Sequence, residues 1–419
     1  MTNPDTPLAV RRVCVSAQSN IFLLHSLVEA TSSVPCWIVS SMATPVMLLS
    51  RQLEFGGTER QLSMLALGVD PSLFEVHVGC FHPEGAYGDE LRAAGVPVID
   101  FPVRSLCNSS ALIGARQMHA YFKQHRIQLV HTFDAPMNVF AVPMARASGV
   151  PRVISSQRAH RSLSSPGMRL LLRLSDRMVD GVVTNCEAVR QELLQRYGLH
   201  PELIHVCYNG IDLAKYAPSD RIRPAPLADA SLVVGSVSVL REEKGLQTLL
   251  EAFAEVAASD SRLRLAIVGD GPMRDQLQGH ADSLGLAPKC WFEGATSHVT
   301  TWLRGIDVFV LPSLSEALSN SLMEAMACGC CVVASRVGGN NELVKDGETG
   351  LLFHRGDAGD LAAKLRLLLA RSDLRSQLAS AGAESVKQYS AKTMVARMQE
   401  IYWSLGITQG AVRNILSRR

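Results

Sequence analysis

Residues 313–342 read Ser-Leu-Ser-Glu-Ala-Leu-Ser-Asn-Ser-Leu-Met-Glu-Ala-Met-Ala-Cys-Gly-Cys-Cys-Val-Val-Ala-Ser-Arg-Val-Gly-Gly-Asn-Asn-Glu. The stretch predicts a loop, a helix, a buried strand and a second loop containing Gly338 and Gly339. The run at 306–311 before it is mostly apolar and stops at Pro312, as a buried parallel strand must where proline supplies no N–H to the ladder. Ser319 or Asn320 can cap the helix, and Leu322, Met323, Ala325, Met326 and Ala327 recur at the spacing of its inner face. Inside one helix, Glu316 and Glu324 would stand about 12 Å apart, too far to share a sugar. With Glu316 in the loop and Glu324 on the helix, both can face one ligand at the helix N-terminus. Unpaired N–H groups and the positive end of the dipole make that terminus suited to a pyrophosphate.

The chain has 419 residues, enough for two domains that each bury a core. A net charge of +2 with 19% charged residues carries no polyanion signature, so no nucleic acid partner is expected. Ten cysteines occur, several inside apolar strand-like runs. That placement suits buried reduced thiols in a cytoplasmic protein better than a disulfide framework or a zinc site. Arg11 and Arg12 precede an uncharged run at 13–28, and 30–50 is uncharged as well. Both are diluted by Ser, Thr, Gln, Asn and Pro, so neither makes a signal segment or a membrane span. Residues 1–42 are expected to be a poorly ordered extension, with Met42 or Met47 as alternative starts.

Regular alternation begins at 46. A strand at 46–50 leads to Phe55-Gly56-Gly57-Thr58-Glu59-Arg60-Gln61, a glycine turn opening a helix that runs to Leu67. Such a turn brings main-chain amides close to a ligand, although two glycines fall short of a dinucleotide fingerprint. Further strands are expected at 74–80, 96–101, 127–131, 152–155, 181–184 and 203–208, with helical periodicity between most of them. Alternating strands and helices imply a parallel sheet covered on both faces, with functional residues at the carboxyl ends of the strands. His131 stands at such an end, where it either contacts a substrate or closes the strand through hydrogen bonds. Arg169, Arg173 and Arg177 share one helix face, and the other side carries Leu170, Leu171, Leu174 and Met178. That arginine face is either an ordinary exposed surface or a contact for an anionic membrane or a phosphate-bearing lipid acceptor. A turn at 209–212 closes the domain, and 213–230, rich in Pro, Ala and Asp, reads as a linker.

The second domain opens with a strand at 231–240 and the loop Arg241-Glu242-Glu243-Lys244-Gly245. Leu246, Leu249, Leu250, Phe253 and Val256 then repeat at helical spacing. A lysine at a helix start opposes the dipole unless an anion sits there too, so Lys244 reads as an anion ligand. A strand at 263–268 and the turn Gly269-Asp270-Gly271 follow, with Pro272 expected at the first position of the next helix. Helices at 360–369 and 373–388 lead to the end of the domain at 390. No Asp-x-Asp pair occurs in the chain, so a diphosphate held through a divalent cation is not expected.

Glu316, Glu324, the small and polar residues between them, and Val337-Gly338-Gly339 with Glu342 resemble the E-x7-E signature of retaining nucleotide-sugar glycosyltransferases of the GT-B fold. Among these the chain is most similar to glycosyltransferase family 4. The resemblance covers roughly 46–405 and is strongest over 231–353. It implies an α/β fold of two Rossmann-like, doubly wound parallel-sheet domains facing across a cleft. The expected parts are an acceptor domain at 43–212, a nucleotide-sugar domain at 231–390, a helix at 391–405 crossing back to the first domain, and a tail at 406–419. The donor implied is a UDP- or GDP-linked sugar, with no further cofactor and no metal, and with retention at the sugar. The acceptor implied is a glycan or lipid-linked molecule of bacterial surface polysaccharide synthesis, met in the cytoplasm or at the inner membrane face.

By the same resemblance, Glu324 holds the ribose hydroxyls, Glu316 the sugar or β-phosphate region, and Lys244 a phosphate. Arg241 stands near Val239, where many relatives carry an arginine, close enough to substitute for it, though the sequence does not decide whether it does. The amides of Ala317, Leu318 and Ser319 face the diphosphate. Gly57 belongs to the loop that reaches across the cleft, Gly269 and Gly271 to the loop beside the nucleotide, and Gly338 and Gly339 to the second glycine loop. Where relatives commonly place a histidine against the sugar, this chain has Gln157 or Arg158. Arg158 is taken as the candidate and His160 is not. A nucleotide-sugar 2-epimerase and a non-enzymatic partner protein share this layout and stay open as alternatives.

Overall fold

The computed structural model describes residues 43–407 apart from 55, 107 and 220–222. The expectations for 1–42 and for the tail beyond 407 lie outside the described residues. The first sheet contains β1 (Thr44–Leu49), β2 (Phe74–Cys80), β3 (Val98–Asp100), β4 (Leu129–Thr132), β5 (Arg152–Gln157), β6 (Gly181–Thr184) and β7 (Ile204–Val206). Its order is β3-β2-β1-β4-β5-β6-β7. The second contains β8 (Leu232–Val237), β9 (Leu263–Val268), β10 (Cys290–Glu293), β11 (Val308–Leu311), β12 (Cys331–Ser335) and β13 (Leu351–Phe353), in the order β10-β9-β8-β11-β12-β13. The strand pairs are parallel throughout, including the central β1 with β4 and β8 with β11. Strand order therefore reverses beside β1 in one sheet and beside β8 in the other, which opens a ligand crevice at their carboxyl ends.

Alternate residues feed opposite faces, as the two-residue period of a strand requires. In β1, Val46 and Leu48 join a core with Leu62 and Leu65, while Met47 and Leu49 pack with Met118 and Val130 on the other side. In β11, Phe309 and Leu311 face one core, and Val308 and Val310 the other. The helix Ala391–Ser404 buries Met394, Val395, Met398, Ile401 and Tyr402 in the core of the first sheet. Tyr402 Oη stands 2.8 Å from Nδ1 of His131, whose Nε2 lies 2.9 Å from Ser156 Oγ. His131 is fully buried, and burial drags its pKa down to about 3. This histidine closes a strand, ties down a helix and is shut off from solvent.

Two expectations need correction. Pro272 lies in the turn before its helix, which begins at Arg274, because Met273 N–H is drawn to the carbonyl of Leu240 at 3.0 Å. More consequential is the helix Pro166–Asp176, where Leu170, Leu171 and Leu174 are 60%, 44% and 47% exposed while Leu172, Ser175 and Asp176 are buried. Arg161, itself buried, donates to both oxygens of Asp176 at 2.6 and 2.7 Å and to Gln157 Oε1 at 2.9 Å. A buried charge must keep its partner, so this pair sets the rotation of the helix and turns the leucines outward. Of the arginines on the helix, Arg169 donates to the Ser164 carbonyl, Arg173 stacks 5.4 Å over Tyr197, and Arg177 is exposed. Among the described residues no helix is long and apolar enough to cross a membrane.

Candidate functional site

Two loops meet at the crevice of the second sheet, one after β8 and one after β11. The first ends in the short turn Glu242–Lys244, and Leu314 N–H from the second donates to the Glu243 carbonyl at 2.8 Å, lacing the loops together. Lys244 Nζ lies 2.7 Å from Glu316 Oε2, and Ser313 Oγ donates to the same oxygen at 3.0 Å. The amides of Ala317, Leu318 and Ser319 donate to no other described residue, although all three residues are buried. Ser319 then caps the helix Asn320–Ala327, its Oγ accepting from Leu322 N–H at 3.3 Å. The Lys244 side chain from the first loop and three uncommitted N–H groups on the second form a set of donors suited to an anion.

Glu324 sits on that helix, 3% exposed, paired with Arg60 of the helix Gly57–Gly68 from the first sheet. Arg60 Nε also donates to Tyr87 Oη at 3.1 Å. Gly57 begins the same helix and accepts from Asn320 Nδ2 at 3.4 Å. Arg158 donates to Asn209 Oδ1 and lies 5.8 Å over the Phe133 ring. Asn209 Nδ2 in turn donates to Asn320 Oδ1 at 2.8 Å and to the Leu318 carbonyl at 3.3 Å. Arg158 thus reaches the Glu316 loop through one intermediary.

The remaining candidates are framework or periphery. Gly338 has φ +45°, and a Cβ there would meet the Glu316 carbonyl oxygen at 1.7 Å, so only glycine lets this loop close on the other. Gly339 spends its N–H on the Ala317 carbonyl at 2.7 Å. Gly269 and Gly271 pack under the loop after β8, where Leu240 N–H donates to the Asp270 carbonyl at 2.9 Å. Arg241 is exposed, its guanidinium 3.9 Å from Glu243, and its carbonyl accepts from Lys244 N–H at 3.0 Å.

Three further residues span the crevice, and the sequence assigned a role to none of them, although Glu342 belongs to the motif around Gly338 and Gly339. His160 Nε2 lies 3.1 Å from the Glu316 carbonyl oxygen and its Nδ1 lies 2.6 Å from Glu192 Oε2. Glu342 accepts from the N–H groups of Glu187 and Ala188 and from Tyr208 Oη, each at 2.9 Å. It therefore caps the helix Glu187–Tyr197, whose own cap position, Cys186, makes no side-chain bond. Arg60 is the third. His160 had a local signal, standing two residues past Arg158 in a strand-end loop, and so had Glu342, which follows the second glycine loop. What each of the three joins depends on pairings between distant segments.

The family model described as "Glycosyl transferases group 1" matches residues 219–385, and that described as "Glycosyltransferase Family 4" matches 55–215. A D-inositol 3-phosphate glycosyltransferase of Streptomyces bingchenggensis is 30% identical over 53% of this chain and 52% of its own length. The lipopolysaccharide core biosynthesis glycosyltransferase LpsE of Rhizobium meliloti is 34% identical over 46% of this chain and 55% of its own. The chain thus spans about half the length of these relatives. Anabaena Alr3699/HepE, solved in complex with UDP and glucose, superposes with a TM-score of 0.75 at 23% identity, over 86% of this chain and 99% of that one. That likeness establishes the GT-B fold.

Proposed function

The chain belongs to glycosyltransferase family 4, and from that premise we propose that it moves a glycosyl group from a nucleoside-diphosphate sugar to a hydroxyl of a glycan or lipid-linked acceptor. The observation that carries this reading is Lys244 Nζ at 2.7 Å from Glu316, beside the uncommitted amides of Ala317, Leu318 and Ser319. In the reaction the bond from the anomeric carbon to the β-phosphate oxygen breaks and a bond to the acceptor oxygen forms on the same face. The departing diphosphate takes the acceptor proton. Lys244 and the three amides stabilise the charge that develops on the diphosphate, the preorganised electrostatic effect that is usually the largest in catalysis. Each charge-assisted bond contributes about 1.5–3 kcal/mol. Glu324 binds the ribose hydroxyls in exchange for Arg60.

The absence of an Asp-x-Asp pair supports a reaction that proceeds without a divalent cation. The names of the relatives support a place in lipopolysaccharide or other surface glycan assembly. UDP, carried by the Anabaena protein, is the first nucleotide to test. The experiment is a screen of UDP- and GDP-sugars for released nucleotide, with and without EDTA, followed by NMR of the product's anomeric configuration. Released nucleotide with an α-linked product from an α-linked donor supports the proposal. Interconversion of the donor without an acceptor indicates a 2-epimerase, and no binding of UDP or GDP indicates a non-enzymatic protein.

A further inference from the structure

The outward leucines of the helix Pro166–Asp176 belong to a larger face of the first domain. Met168, at the start of that helix, lines a groove of about 200 Å³ together with Arg51, Phe81, His82, Arg104 and Leu106. The groove lies beyond the carboxyl ends of β1, β2 and β3, and no carboxylate lines it. Leu112 and Ile113, in the first turns of the helix Ser109–Gln124, are exposed beside Arg104, whose N–H donates to Ser110 Oγ at 2.9 Å. Leu163 is exposed just before the Pro166 helix.

Helical spacing orders these groups. Leu171 stands three residues after Met168, on the groove side, whereas Arg173 and Arg177 stand three residues after Leu170 and Leu174, on the far side. The ridge of leucines therefore has cations along both flanks: Arg51 and Arg104 on one, Arg173 and Arg177 on the other. An exposed apolar ridge needs a partner that is itself apolar, and its cationic borders need that partner to be negative around the contact. A second copy of the chain fails the second condition, because a two-fold contact through this face would bring like-charged arginines together. An anionic bilayer meets both.

We infer that this face docks on an anionic lipid bilayer, the leucines entering the headgroup–acyl boundary and the flanking arginines taking lipid phosphates. The inference goes beyond the transfer reaction and holds whatever sugar the donor carries. It places the carboxyl-end crevice of the first sheet next to the membrane, where a lipid-linked acceptor would be presented.

Flotation of the full chain with vesicles of phosphatidylcholine, alone or mixed with phosphatidylglycerol, tests it. The protein is expected to float with the mixed vesicles and not with phosphatidylcholine alone. Leu170→Ser/Leu171→Ser/Leu174→Ser lowers partitioning at least about tenfold. Arg51→Gln/Arg104→Gln lowers it roughly tenfold. The leucines are exposed, so the triple variant keeps the thermal midpoint of the parent and its rate of donor hydrolysis. Independently, a bimane label on Leu171→Cys should shift to an apolar spectrum only with the anionic vesicles. Equal recovery with both vesicle types, no recovery with either, or an unmoved label overturns the inference. So does a triple variant that turns a dimer into a monomer in sedimentation while binding vesicles unchanged.

Discussion

Nε2 of His160 stands 3.1 Å from the main-chain oxygen of Glu316, so a side chain from the first domain grips the loop that carries the candidate anion ligands. The other nitrogen, Nδ1, faces Glu192 Oε2 at 2.6 Å. A carbonyl and a carboxylate only accept hydrogen bonds, so satisfying both requires the doubly protonated ring. The bond to Glu192 accordingly raises the His160 pKa above its ordinary value of 6.5, outweighing burial, with the charges of Glu192 and Glu316 adding to it.

A raised folded-state pKa gives stability that is complete below the unfolded value and is lost as pH rises through the folded one. The thermal midpoint of the parent should therefore exceed that of His160→Gln most in mildly acidic buffer, and the gap should close as the buffer becomes alkaline. A gap that does not vary with pH would show that the ring is neutral.

His131 carries the opposite sign. Burial lowers its pKa to about 3, so its contribution is present above the unfolded value of 6.5 and fades as pH falls toward the folded one. Urea midpoints measured at neutral and mildly acidic pH should drop further for the parent than for His131→Gln. Equal drops would contradict a neutral, enclosed imidazole.

Lys244→Ala and Glu324→Ala should each reduce turnover at least tenfold, equivalent to about 1.4 kcal/mol of transition-state stabilisation. Released nucleotide measures this, with a thermal melt to confirm folding. Unchanged turnover in a folded variant removes that residue from the site.

Arg60 and Glu324 form an ion pair between helices that begin on opposite sheets. Arg60→Ala, Glu324→Ala and the double variant, compared by urea unfolding, should give a coupling energy of about 0.5–3 kcal/mol. Additive losses would mean that the pair does not hold the domains.

Glu342→Ala removes the acceptor for two N–H groups at the start of the helix Glu187–Tyr197. A loss of about 1–3 kcal/mol is expected, seen locally as faster hydrogen exchange at Glu187 and Ala188. Exchange that stays slow there would indicate another cap.

The segment around Glu316 and Glu324 was legible because each of its instructions is local. Pro312 ends a strand, Ser319 caps a helix, and the apolar residues of that helix all point to the core. β8 stops at Val237, short of the expected 240: Ser238 N–H makes the last ladder bond, to the Val268 carbonyl at 3.0 Å, and beyond it Leu240 N–H donates to the Asp270 carbonyl at 2.9 Å as the chain leaves the sheet to meet the Gly269 loop. The rotation of the Pro166 helix was not legible, since a periodicity count favours leucines inside and cannot register a buried Arg161–Asp176 pair formed across a loop. The partners of His160, Arg60 and Glu342 were hidden for the same reason: each bridge joins segments more than thirty residues apart.

The anchoring of Tyr402 against His131 means that the polypeptide visits the amino-terminal lobe twice, once to build it and once to seal it. Two crossings between lobes mean that any displacement of one against the other must be taken up by both connecting segments at once. Proteolytic trimming ahead of Ala391 would consequently strip the greasy underside of the lobe farthest away in the chain. Limited digestion followed by mass spectrometry should find that lobe, rather than its neighbour, degraded first.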